Sequence, residues 1–69
     1  MKYKILIVDD EEMILSMMEK CLKEEFFVYT AENAKKALDL LNIIPDIILL
    51  DINMPEMDGL ELCQLIRSH

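Results

Sequence analysis

Two apolar tetrads that each end in aspartate limit what this chain can fold into. Ile5-Leu6-Ile7-Val8 runs into Asp9 and Asp10, and Ile47-Ile48-Leu49-Leu50 runs into Asp51. Short runs rich in β-branched residues, with no polar alternation, are the pattern of strands buried on both faces. Such strands are found where helices cover both sides of a parallel sheet. A carboxylate at the end of each run stops burial and sets charge at one rim of that sheet.

The segments between the tetrads complete the pattern. From Glu12 to Lys23, apolar residues recur at three-and-four spacing (Met13, Ile14, Met17, Met18, Cys21, Leu22), which predicts an amphipathic helix with the methionines filling the core. Asp10 is placed to cap it, with Glu11 and Glu12 in the first turn where the helix dipole favours acid. Phe26-Phe27-Val28-Tyr29 reads as a second strand, with one phenylalanine facing solvent or the next helix. Asn33 caps a short helix from Ala34 to about Asn42, with Ala37, Leu38 and Leu41 inside. A third helix begins after the turn residues of 53–59, on Leu60, Cys63 and Ile66 with Leu62 on its flank, and runs to the end.

The order is therefore β-α-β-α-β-α. Right-handed crossovers, with the first helix on one face and the second on the other, give a three-stranded parallel sheet in the order 2-1-3. Open sheets of this class place their site outside the carboxyl ends of the strands, where the chain direction reverses. Asp9, Asp10 and Asp51 converge there. At about 5 Å and an effective dielectric near 20, each carboxylate pair repels by roughly 3 kcal/mol, so the cluster calls for a proton or a cation. An all-oxygen donor set suits Mg²⁺, and Mg²⁺ beside a carboxylate suggests phosphoryl transfer to Asp.

Composition narrows the partners. The 69 residues carry 14 acidic and 7 basic side chains, a formal charge of −7. This balance argues against nucleic acid and against an anionic membrane surface. No apolar run approaches a spanning helix, and the amino end, Met1-Lys2-Tyr3-Lys4, leads into an unbroken run of only four apolar residues before Asp9, too short for a secretory leader. A soluble, cytoplasmic single domain over 1–69 is expected. Cys21 and Cys63 fall in helical patterns and read as reduced core thiols.

Residues 5–11 and 45–59 together resemble the two amino-terminal signatures of bacterial response-regulator receiver domains. Thr30-Ala31-Glu32-Asn33-Ala34 and Ala37-Leu38 fit the pattern between them, although Ala34 stands where the family commonly has Gly. The resemblance implies a flavodoxin-like fold and a signalling domain of two-component systems rather than an enzyme. It implies that Asp51 accepts a phosphoryl group from the phosphohistidine of a sensor kinase. Asp9 and Asp10 would hold Mg²⁺ with Asp51 and the backbone carbonyl of Asn53, while Pro55 and Gly59 would shape the adjacent loop. Glu56 and Met57 would line its mouth.

Receiver domains continue through two further strands and helices that carry a phosphoryl-sensing Ser/Thr, a Lys and an aromatic switch. None of these maps onto this chain, which reads as a truncated receiver, a flavodoxin-like half-domain in which phosphorylation is expected to be weak. In a full sheet the third strand would be interior; as an edge it predicts a homodimer that pairs two third strands. Two other functions compete. An inactive dimerisation or interaction module would keep the fold without the reaction. A haloacid-dehalogenase-type aspartyl-phosphate phosphatase wants a second Asp two residues after the nucleophile, where this chain has Asn53.

Overall fold

The first apolar tetrad lies at the centre of the sheet. The structure, a computed structural model, describes residues 1–51 and 59–68. Strand β1 (Tyr3–Val8) is followed by helix α1 (Glu12–Leu22), strand β2 (Phe26–Ala31), helix α2 (Ala34–Leu40) with a 3-10 turn at Leu41–Ile43, strand β3 (Ile47–Leu50) and helix α3 (Gly59–Arg67). All pairing is parallel and the order is β2-β1-β3, as the crossover argument requires. In register, Ile5 lies between Val28 and Ile47, and Val8 between Ala31 and Leu50. Successive residues of β1 therefore face opposite layers.

Ile5 and Ile7 pack on Leu15 of α1, with Met18, Leu22, Phe26 and Val28 around them. Leu6 and Val8 pack on the other face with Ala31, Ala37 and Leu62, joined by Ile48, Leu50 and Ile66. Continuous apolar character in β1 is thus explained by helices on both sides, since alternate residues would otherwise meet water. In β3 the burial is one-sided: Ile48 and Leu50 are half-buried, whereas Ile47 and Leu49 are each 39% exposed on the α1 face. The expectation of burial on both faces of that strand does not hold.

Other differences concern helix rotation. Met13 (85% exposed) and Met17 point outward, and of the three methionines only Met18 packs on the core. Their apolar stripe is wider than the face that α1 buries, and Leu15 takes the central position. Cys21 is exposed for the same reason and Cys63 is half-buried; both thiols are free. In α3, Leu62 is the fully buried residue rather than a flanking one, with Ile66 one turn on. Of the two phenylalanines, Phe27 is exposed and Phe26 half-buried.

Two local devices fix the connections. Asn33 caps α2 by accepting a hydrogen bond from the Lys36 backbone N–H at 2.8 Å. At the start of β3, Asp46 and Lys4 clasp each other. The Asp46 N–H donates to the Lys4 carbonyl at 2.9 Å, and the Lys4 N–H donates to the Asp46 carboxylate at 2.8 Å. The Lys4 Nζ also donates to the carbonyl of Ile43 at 2.9 Å. Just beyond, Ile44 closes the 3-10 turn in the left-handed region (φ 55°), its N–H donating to Leu41. Pro45 disfavours the right-handed helical well for the residue before it, and the turn is closed by a β-branched residue in a conformation that costs it energy.

Because Ile44 is 78% exposed, replacing it forfeits little burial. Ile44→Asn is expected to stabilise the fold by about 1 kcal/mol by relieving the left-handed penalty, read as a higher urea midpoint. Asn33→Ala should lower the same midpoint, at a cost of about 1 kcal/mol for the lost cap.

Candidate functional site

The same register that pairs Val8 with Leu50 sets Asp9 beside Asp51. Each ladder extends one residue past its last pair: the Asp9 N–H donates to the Ala31 carbonyl at 3.1 Å, and the Asp51 N–H donates to the Val8 carbonyl at 3.0 Å. Adjacent strands lie ~4.8 Å apart, so two carboxylates at matched ends are held close by backbone bonding alone. Asp10 follows on the exit from β1. One oxygen from each of Asp9, Asp10 and Asp51 lies within 4.8 Å of the others, with Asp9 and Asp51 half-buried and Asp10 exposed.

Asp9 has a second task. Its Oδ1 accepts a hydrogen bond from the Glu11 N–H at 2.9 Å, turning the chain from strand into helix. Glu11 occupies the N-cap position of α1 without a side-chain bond, and Glu12 opens the helix. The expected cap, Asp10, is not used; its carboxylate stays with the acidic cluster instead. Both aspartates stand two residues before a helix-opening glutamate, so composition alone does not choose between them. The choice follows from the β1 ladder, which still holds the Asp9 backbone while Asp10 has left it.

Three carboxylate oxygens from one rim, with no nitrogen or sulfur donor among them, form a hard-cation donor set. They fit an ion such as Mg²⁺, which takes one or two protein carboxylates and keeps water or phosphate oxygens at its remaining positions. The exposure of Asp10 leaves that side open to such ligands. Among the sequence-predicted site residues, Asp9, Asp10 and Asp51 are brought together. Gly59 opens α3. Asn53 and Pro55, like Glu56 and Met57, lie outside the described residues.

Comparison with known proteins agrees with this geometry. The family model for the response regulator receiver domain matches residues 5–69. A probable transcriptional regulator, ycf27 of Guillardia theta, is 46% identical across 97% of the chain, and YrkP, an uncharacterised transcriptional regulatory protein of Bacillus subtilis, is 43% identical across 99%. The chain spans only 27% and 30% of those relatives' own lengths. Among solved structures, the Vibrio cholerae chemotaxis protein CheY4 superposes with a TM-score of 0.92 at 33% identity, over 99% of this chain and 58% of that one. The amino-terminal domain of a response regulator receiver protein from Methanoculleus marisnigri gives 0.88 at 38% identity, over 96% and 55%. The fold and the acidic rim thus define a signalling module of the two-component kind. The chain belongs to the response regulator receiver domain family.

The double role of Asp9 separates two substitutions. Asp9→Asn keeps an oxygen acceptor for the Glu11 N–H and relieves repulsion within the acidic cluster, so it should be at least as stable as the unaltered chain. Asp9→Ala loses the same charge but also the acceptor, and should be less stable than Asp9→Asn by about 1 kcal/mol, measured as the difference between the two urea midpoints.

Proposed function

We propose that Asp51 accepts a phosphoryl group from the phosphohistidine of a sensor kinase, in a Mg²⁺-dependent reaction. The observation that carries this reading is the meeting of three carboxylates from two adjacent strand ends within 4.8 Å. Family membership supports it. In the transfer, an Asp51 carboxylate oxygen attacks phosphorus in line with the phosphorus–nitrogen bond. A phosphorus–oxygen bond forms as that bond breaks, and its electron pair leaves with the imidazole nitrogen. Asp51 becomes an acyl phosphate.

The protein's part is placement and charge. Asp51 is anchored through its own N–H at the end of β3, so its backbone is fixed at the rim and only its short side chain has to orient the attacking oxygen. Asp9 and Asp10 would hold the ion, one directly and one largely through water, with the backbone carbonyl of Asn53 as a further oxygen donor. Bound Mg²⁺ supplies neutralisation of the charge on the moving phosphoryl oxygens. Pro55 and Gly59 would shape the loop that borders the acceptor. Without a neutralising ion, an incoming phosphoryl group would face three negative charges at one rim, and the reaction should fail.

A second reading keeps the fold as an interaction module with no phosphoryl chemistry. Incubation with acetyl phosphate and Mg²⁺, followed by intact-mass spectrometry, decides between them. The expected result is a gain of one phosphoryl group that is lost with Asp51→Asn and lost with a chelator. An equal gain in the Asp51→Asn chain would overturn the acceptor assignment, and no gain in the unaltered chain would favour the interaction module. Mg²⁺ alone should raise the melting temperature of the unaltered chain and not of Asp9→Asn/Asp10→Asn, since a ligand that binds only the folded state stabilises it.

A further inference from the structure

The outer edge of β2 lies at the opposite side of the sheet from β3 and takes no part in the acidic rim chemistry. In a parallel ladder the N–H and C=O of one residue point the same way, and the bond from Asp9 N–H to the Ala31 carbonyl fixes which residues of β2 face β1. Phe27, Tyr29 and Ala31 turn their peptide groups inward. Phe26, Val28 and Thr30 turn theirs outward, and among the described residues no hydrogen bond engages those outward groups. Phe26–Ala31 contains no charged residue, proline or glycine, so the usual devices that blunt a sheet edge are missing from the strand itself.

Charge says what such an edge can receive. Beside the carboxyl-terminal half of β2, a groove of about 340 Å³ is lined by Glu12, Ser16 and Glu19 of α1, by Thr30 and Glu32, and by Lys36. Three carboxylates face one ammonium there, within a chain of net charge −7. A second copy of this chain is a poor occupant: antiparallel pairing about Val28 brings Glu24, just before the strand, toward Glu32, just after it, of the second copy, and joins two chains that each carry a net charge of −7. An extended strand ending in basic residues meets both requirements, with backbone bonds along Phe26, Val28 and Thr30 and cationic side chains in the groove.

We propose that the β2 edge is a docking site for an extended segment of another protein, added as a fourth strand with lysine or arginine at the end that lies over Glu12, Glu19 and Glu32. This interaction is independent of phosphoryl transfer at Asp51.

The probe is a short peptide of alternating Thr and Val closed by an arginine pair, compared with the same peptide closed by a glutamate pair. Amide hydrogen exchange of the intact chain is followed by NMR. The arginine peptide should slow exchange at Phe26, Val28 and Thr30, and the glutamate peptide should not. Affinity should fall at least tenfold in Glu12→Gln/Glu19→Gln/Glu32→Gln and should weaken with added salt. Val28→Pro should abolish binding, because the N–H it removes points away from β1 and serves only an added strand. If that variant fails to fold, the surface glutamine variant decides alone. Unchanged exchange at the three amides, equal protection by both peptides, or undiminished binding by the glutamine variant would overturn the proposal. So would protection that arises from self-association without peptide.

Discussion

Everything at the rim depends on how β1 is bonded to β3. The two strands run parallel with Val8 opposite Leu50, and the next N–H of β3, that of Asp51, donates to Val8. Parallel bonding at matched ends leaves neighbouring side chains about a strand spacing apart, so the proximity of Asp9 and Asp51 comes from the backbone and needs no attraction between them. Their mutual repulsion is borne by the ladder. A site that must bring like charges together is well served by a scaffold whose geometry those charges cannot relax.

The layers on either side of the sheet support that rim unequally. Ile5 and Ile7 meet α1 through Leu15, Met18 and Leu22, while Leu6 and Val8 meet α2 and α3 through Ala37 and Leu62. Small residues on the second face, Ala31 and Ala37, let α2 sit close to the sheet, and both are fully buried. On the α1 face the aliphatic surface of β3 remains partly open at Ile47 and Leu49. By alternation Asp9 follows Ile7 and Asp51 follows Leu49, so the two strand-end aspartates continue the columns of that more open face.

Strand positions, their order and the three rim aspartates were legible because each rests on a strong one-dimensional signal. An uninterrupted aliphatic run marks a strand, and a carboxylate after it marks where burial ends. Asn33 was equally readable, since its cap needs only a polar side chain at the right offset from a short apolar helix. What escaped depends on rotation and on competition between equivalent residues. The stripe containing Met13, Met17 and Met18 covers more of α1 than the sheet can bury, and the bond from Glu11 to Asp9 sets the angle at which that helix starts. Leu62 and Cys63 are adjacent, and only the approach of α3 to Leu6 and Val8 decides which goes inside. Likewise, Asp9 and Asp10 offer the same chemistry to the start of α1, and the end of a hydrogen-bond ladder breaks the tie.

The clasp between Lys4 and Asp46 lies at the far end of the sheet, yet it meters the position of the acceptor. Lys4 precedes Asp9 by as many residues as Asp46 precedes Asp51. Once the near ends are pinned, equal chain lengths deliver both carboxylates to the same height, like two rulers aligned at zero. Inserting or deleting one residue inside either strand would leave the pin intact but turn one acid toward the wrong layer. The spacing of these two short segments is therefore under tighter constraint than the identity of the aliphatic residues that fill them.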